Sequence, residues 1–569
     1  AQLAELRRGY AALQPEQLTV LDPCMGSGHI LVYAFDVLMD IYRSVGYTDR
    51  DAVQSIMENN LYGLDIDDRA AQLAYFALMM KACEYDRRFL RRGVQPHVCA
   101  IAESVPVDEH LLDVFGAEKP LARQLVHTFA NAKEYGSLLS VDLTQEELRR
   151  LSSRVDELES SSQNSLLAMA DSAQAVAVVK PLLQQSQILI HKYDAAITNP
   201  PYMGGSGMNE NLSRFVKENY PDSKSDLFAC FIERGNTMVK TNGLNCMVTM
   251  QSWMFLSSFE KMRCHILKTK DIVCLMHMEN MVLGIAFGTA VTIFKNAHTH
   301  GYKGTYNQIK LCDIENEVPK TFPVSENRFS QVSTDNFSKI PGAPVAYWVS
   351  ERVINVFSNS IKAGNLAEFK HGMSTGKNEA VLRLWHEVTM KKICFEASSH
   401  QDLYNTGKRF VPYNKGGEFR KWYGNQDYIL GYDKVYDALM DTFDGHRHDN
   451  RATYFMENIS WSKVTSGGLA MRYFPIGFVY DVAGCSAFVK KEYTFYLLAF
   501  FNIKIKDILV SAMSPTINYE VGQLKNSPIV ISVEKLPFIN RIVKNNIEIS
   551  NSDWDSFETS WNFKKHPMI

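Results

Sequence analysis

"LTVLDPCMGSGHILVYAFDVLMDIYRSVG", residues 18–46, sets how the remaining chain is read. Leu18 to Leu21 form an apolar strand, Asp22-Pro23 with Gly26 and Gly28 turn the chain, and apolar positions then recur at helical spacing. Residues 59–86, "NNLYGLDIDDRAAQLAYFALMMKACEYD", repeat the plan with a strand ending on acids and a long amphipathic helix. Strand, glycine turn, helix and acidic strand end open a nucleotide-binding α/β sheet. The glycines let the backbone approach a ligand at a helix N-terminus, and a carboxylate such as Asp65 can accept both ribose hydroxyl protons. Asp22 is placed to face the ammonium group of an amino acid or to order a water beside it. Position 31 is leucine, so Gly26 and Gly28 lack the third glycine of the dinucleotide motif. The turn therefore suits a cofactor without phosphates, with an ordinary α/β turn as the alternative, since D-P and G-S-G are common loop punctuation.

Bulk properties frame this reading. The chain has 569 residues, length for three or four domains, with 46% hydrophobic and 22% charged content. A net charge of -3 excludes a histone-like polycation but permits a local basic face. The ten cysteines show no CxxC pair or ligand-spaced cluster, which predicts reduced thiols and no metal. With no bilayer-spanning apolar run and no signal-peptide core, the expectation is a cytoplasmic protein without a membrane partner. The glycine motif so close to a first residue that is not Met predicts a further part upstream.

Residues 194–207, "DAAITNPPYMGGSG", take an apolar strand into Asn199, two prolines and an aromatic ring. The exocyclic amine of adenine is a poor nucleophile, because its lone pair is delocalised into the ring. The Asn199 side-chain oxygen and the Pro200 carbonyl could each accept one N–H and aim that lone pair at the methyl group of S-adenosylmethionine. Prolines fix the corner and offer no competing donor. Tyr202 supplies a flat face for the base, and such contacts are worth about 1–3 kcal/mol.

LDPCMGSG, YGLDID and TNPPY, in that order, resemble the motifs of DNA adenine amino-methyltransferases in which the cofactor motif precedes the catalytic one. HILVYAFDVL, SDLFACFIERG and SGGLAMRYFPIGFVYDVAGCSAF resemble more closely the PglX methyltransferases of BREX phage-defence systems and related type IIG restriction-modification enzymes, over nearly the whole chain. The resemblance implies a Rossmann-like α/β sheet that uses S-adenosylmethionine, with a helical insertion, followed by a mixed α+β target-recognition domain. Asp22, Pro23, Cys24, Gly26 and Gly28 would line the cofactor, Asp65 would hold its ribose and Ile66 would pack beside its adenine. Glu103 is a looser match for a contact to the adenine amine. Asn199, Pro200, Pro201 and Tyr202 would hold the target base, and Phe287 in "LGIAFGTAVTIFK" would close over it. The implied partners are double-stranded DNA, other BREX subunits and phage-encoded inhibitor proteins. Other readings are a protein glutamine-amide methyltransferase, since NPPY corners also hold that amide, and a non-catalytic DNA-reading or phage-protein-binding subunit.

The domain reading is 1–300 catalytic, with a helical insertion at about 104–188; 301–361 connecting; and 362–569 recognition, truncated. "TQEELRRLSSRVDELESS" opens with a Thr144–Glu147 capping box and predicts a protruding helical hairpin, either solvated or an arm for DNA or a partner. Residues 362–472 hold sixteen Lys and Arg against thirteen Asp and Glu, so bulk charge says little there. Lys415, Arg420 and Lys421, interleaved with Trp422, Tyr423 and two glycines, make a candidate phosphate-tracking, base-stacking stretch. Tyr75, Phe76, Met79 and Met80 read as core filling. His446 and His448 read as a loop, for want of a third and fourth metal ligand in reach.

Overall fold

The computed structural model describes residues 2–160, 166–282, 284–316, 318–325, 329–513, 515, 517–566 and 568. It divides into two units, Ala1–Ser338 and Lys339–Ile569.

The first unit is built on one nine-stranded sheet of β1 (Val20–Asp22), β2 (Leu61–Asp65), β3 (His97–Ala100), β4 (Tyr193–Thr198), β5 (Val239–Met250), β6 (Asp271–Met278), β7 (Thr289–Lys295), β8 (Lys303–Ile309) and β9 (Phe329–Ser333). Their order is β9-β8-β6-β7-β5-β4-β1-β2-β3. Strands β3, β2, β1, β4 and β5 are mutually parallel, and β7 runs antiparallel between β5 and β6. This is the expected Rossmann-like arrangement, and its strand order reverses between β1 and β4.

Side-chain alternation divides the core between the two faces. On one face, α1 (His29–Ser44) buries Leu31, Phe35, Leu38 and Tyr42, and α2 (Asp68–Tyr85), capped by Asp67, buries Ala71, Ala74 and Leu78. Leu21 and Leu64 point the other way. There they meet the insertion, chiefly α3 (Gln145–Ser160) and α4 (Leu166–Ile190); residues 161–165 lie outside the described residues. Leu148, Leu151, Val155, Val179 and Leu182 share that core with Leu21. The Thr144–Glu147 capping box forms as expected. The protruding, solvated hairpin does not: a parallel sheet needs both faces covered, and α1 and α2 cover only one. The fully buried Gln185 completes the join, exchanging both amide hydrogen bonds with the backbone of Ala102.

Two further expectations change. Residues 303–333, read as part of a connection, instead supply β8 and β9, because β6 presents an open edge that β8 pairs in parallel. On α2, Met79 is in the core but Phe76 and Met80 are 61% and 49% exposed, since with Leu73 they occupy the face turned away from the sheet.

The second unit holds β10 (Ala367–Lys370), β11 (Leu382–Leu384), β12 (Phe410–Asn414), β13 (Tyr428–Gly431), β14 (Asn458–Trp461), β15 (Met471–Phe474), β16 (Val479–Tyr480) and β17 (Ser486–Val489). They form two four-stranded sheets, ordered β10-β17-β14-β15 and β11-β13-β12-β16. Phe369, Trp461, Leu497 and Phe501 centre one core, and Tyr413, Leu430, Tyr432 and Tyr480 another. Among the described residues of the whole chain, no helix is long and apolar enough to cross a membrane, and no cysteine is in a disulfide.

Candidate active site

The two sequence motifs leave neighbouring strands at the point where the sheet order reverses, the place where open α/β sheets bind ligands. Leu21 of β1 pairs with Ala196 of β4, so Asp22 and Asn199 emerge side by side from one sheet edge.

On the β1 side, Gly28 has φ +85° and lies so close to α2 that a Cβ would sit 2.9 Å from that of Ala74. Gly26 also needs a positive φ, +52°, but a Cβ there would meet nothing within 4 Å, which leaves open space above the turn. The turn is tied to β2: Asp65 accepts the Gly26 N–H through Oδ2 (2.8 Å) and the Asp67 N–H through Oδ1 (2.9 Å). Asp22 is fully buried; its Oδ1 accepts the Cys24 N–H at 3.1 Å and its Oδ2 has no hydrogen-bond partner. Burial, partly offset by the Cys24 N–H, pushes its carboxyl up to about 7. Asp22 is thus a buried acid beside the open turn whose second oxygen makes no hydrogen bond, a position that favours a compensating cationic group.

On the β4 side, Asn199 is exposed and Pro200 buried. The Tyr202 hydroxyl lies 3.0 Å from Asn199 Oδ1 and 3.1 Å from the Val248 carbonyl, acceptors it can serve in turn. Its ring stands 5.8 Å from that of Phe287, at 73°. The structure thus brings Asn199, Tyr202 and Phe287 together. Burial pushes the Tyr202 phenol up to about 12, so it stays a neutral donor. Asp226, the N-cap of α5 (Leu227–Met238), accepts the Met203 N–H at 2.9 Å and pins the chain beyond the corner.

The insertion supplies residues that sequence reasoning missed. The Ser137 hydroxyl donates to the Pro23 carbonyl at 2.6 Å, and a Cβ on Gly136 would sit 2.9 Å from Ile66 Cγ2. Lys133 Nζ donates to the Ile66 carbonyl (2.7 Å) and to Asp68 (2.9 Å), and its backbone N–H to Glu103 (3.1 Å). Residues 137–139 are held from beneath by the buried Arg234, which donates to the carbonyls of Ser137 and Leu139, and by Tyr220, which donates to that of Leu138. Only the SDLFACFIERG stretch around Arg234 signalled anything here, and it did so by resemblance, without a stated role.

The candidate DNA-contacting cations are already engaged within the second unit. Lys415 is 3.5 Å from Asp481, Arg420 lies over the Trp554 ring at 4.9 Å, and Lys421 donates to the Asn502 carbonyl at 2.7 Å. Tyr423 is buried, so its ring offers no stacking face.

The fold is a Rossmann-like α/β domain of the methyltransferase type, and its sequence matches methylase families of restriction-modification enzymes. Residues 59–282 match the Eco57I restriction-modification methylase family, and residues 5–112 match the MmeI DNA-methyltransferase domain. Along its full length the chain is 37% identical to the adenine-specific methyltransferase BrxX of Escherichia coli O9:H4 (strain HS), covering 48% of that protein. Over 97% of its length it is 35% identical to the adenine-specific methyltransferase PglX of Lacticaseibacillus casei (strain Zhang), covering 47% of it. The chain is similar over essentially its whole length to these PglX-type methyltransferases and spans about half the length of the curated relatives it matches. In fold it is similar to the Type IIL restriction-modification enzyme MmeI, solved in complex with DNA (TM-score 0.53, 11% identity, 96% of this chain and 67% of that one). It is also similar to the ATP-dependent Type ISP restriction-modification enzyme LlaBIII, solved bound to DNA (TM-score 0.50, 12% identity, 96% and 38%).

Proposed function

We propose that this chain transfers a methyl group from S-adenosylmethionine to N6 of an adenine rotated out of duplex DNA. The observation that carries the reading is the pairing of the Asp22–Gly28 turn and the Asn199–Tyr202 corner on adjacent strands at the switch point of the sheet. When bound, S-adenosylmethionine supplies an electrophilic methyl group. Asp22 Oδ2 would hold its ammonium group, Gly26 would leave room for it, and Asp65 would hold its ribose, beside Ile66 and Gly136. Pro23 and Cys24 would line the same wall.

Asn199 Oδ1 has two lone pairs. With Tyr202 on one, the other faces the incoming amine, and the Pro200 carbonyl takes the second N–H, a placement Pro201 stiffens. Tyr202 offers the base its ring face, with Phe287 edge-on to that ring, and the stacking offsets part of the few kcal/mol that rotating the base out costs. Transfer is direct, and the chain contributes position and exclusion of water. The second unit reads the sequence around the adenine, with Lys415, Arg420 and Lys421 on the phosphates. The methylated site marks host DNA within a BREX-type defence system, alongside its other subunits and as a target of phage inhibitors.

The test is incubation with methyl-labelled S-adenosylmethionine and DNA, then nucleoside analysis. Label in N6-methyladenine is expected; label confined to protein glutamine, or none even in the full-length protein with its partners, overturns the reading.

A further inference from the structure

His446 and His448 lie in the loop after α6 (Lys434–Met440), in the second unit and apart from the residues of the proposed methyl-transfer site. The fold gives them the ligands their local sequence lacked. Asp437 and Asp441, one helical turn apart, present carboxylates on the same side of α6 and its C-cap. His446 Nε2 and His448 Nε2 are 3.1 Å apart. Asp441 Oδ1 lies 3.6 Å from the first and 3.3 Å from the second, and Asp437 Oδ1 lies 3.3 Å from His448 Nε2.

Hydrogen bonds alone do not satisfy this cluster. His446 Nδ1 lies 2.7 Å from the Ser374 carbonyl, which can only accept, so that nitrogen carries the ring's proton and Nε2 offers a lone pair. One N–H on His448 Nε2 would then face three acceptors: His446 Nε2, Asp441 Oδ1 and Asp437 Oδ1. A second proton on His448 would sit on Nδ1, which is buried without a partner. Asp437 Oδ1 is likewise buried and unpartnered, while Oδ2 is held by Arg451 (2.5 Å) and Tyr404 (3.2 Å). Three ligand atoms, His446 Nε2, His448 Nε2 and Asp441 Oδ1, thus converge on one point, with Asp437 Oδ1 beside His448. Metal–ligand bonds of about 2.0–2.2 Å in a tetrahedron place ligands about 3.3–3.6 Å apart, close to the 3.1, 3.3 and 3.6 Å that separate these three.

We propose that Asp441, His446 and His448 form a divalent transition-metal site, whose two imidazoles and carboxylate suit Zn²⁺, with Asp437 as the neighbouring carboxylate beside His448. The carbonyl of Ser374 orients His446 as an outer partner. The ion staples the 441–450 loop to the turn at Ser374, which already pairs with Arg447 through two backbone hydrogen bonds. Asp441, 63% exposed, leaves the ion a path to solvent. The inference is independent of the methyl-transfer reading.

The test uses the whole chain, stripped of metal and titrated with Zn²⁺ against a chromophoric chelator. One ion per chain is expected, Co²⁺ should give the visible absorption of a tetrahedral nitrogen–oxygen site, and Mg²⁺ should not compete. Zn²⁺ should raise the melting temperature, and EDTA should reverse it. Asp441→Asn, at an exposed position, should weaken Zn²⁺ at least tenfold, and the double variant His446→Gln/His448→Gln should lose it. If the double variant does not fold, Asp441→Asn and the Co²⁺ spectrum decide. No bound Zn²⁺ at one equivalent, or affinity unchanged by Asp441→Asn and by the double variant, overturns the proposal.

Discussion

At the scale of the residue, the Asp22 carboxyl couples protons to both stability and ligand. Burial holds the folded Asp22 carboxyl up at about 7, whereas an unfolded chain releases the proton near pH 4. Between those values the folded state binds more protons, so this contribution to stability is complete below about pH 4 and lost as the pH rises to 7. Asp22→Asn should therefore melt increasingly above the parent chain as the pH rises, by up to about 4 kcal/mol at pH 8, as thermal unfolding at several pH values will read. Cofactor affinity should move oppositely. A cation needs the ionised carboxylate, so the parent's affinity should fall about tenfold per unit below pH 7, while the weaker binding of Asp22→Asn stays flat. Asn199→Ala removes one acceptor of the amine and leaves the glycine turn untouched. Turnover should drop by about 10²–10³-fold in a labelled-methyl assay, with cofactor affinity by equilibrium binding unchanged. Both residues stood out because each lies in a motif whose residue types suggest the proposed chemistry. That Asp65 spends both oxygens on loop N–H groups was not, since nothing local says where Gly26 points.

At the scale of the element, the insertion is the part that sequence patterning described least well. Its helical periodicity and capping box were legible, and so was the apolar stripe Leu148–Leu151–Val155–Leu158, yet a stripe does not say what it faces. It faces the second side of the sheet, and it carries residues 133–137 to the rim of the site. Arg234 on α5 is the fastening. Replacing it with Met leaves the carbonyls of Ser137 and Leu139 buried without their donor. Arg234→Met should cost about 2–5 kcal/mol in denaturant unfolding. It should also weaken cofactor binding, because Ser137 loses its hold on the Pro23 carbonyl; unchanged affinity in a folded variant would detach the insertion from the site.

At the scale of the whole molecule, the chain is two units with separate cores, and the proposed chemistry and DNA reading fall one to each. The basic stretch at Lys415–Lys421 makes the second assignment measurable. On the proposed reading its three cations would give up an aspartate, a tryptophan face and a carbonyl to engage phosphate. Lys415→Ala/Arg420→Ala/Lys421→Ala should lower DNA affinity across all sequences alike and flatten its salt dependence, by about 0.9 in log–log slope for each phosphate no longer neutralised. A slope identical to the parent's would move DNA binding elsewhere.

Local chemistry determined the α/β opening, the glycine turn, the rigid Asn-Pro-Pro-Tyr corner and the Tyr202–Phe287 pairing implied by resemblance, because each depends on residue types within a few positions or on a motif order. Tertiary structure alone decided what lies far apart in sequence and close in space. It set the insertion against the bare face of the sheet, added β8 and β9 to an open edge, buried Tyr423 and joined two carboxylates to His446 and His448. Burial and long-range pairing are properties of the assembled core, and a linear pattern carries only the tendency to reach them.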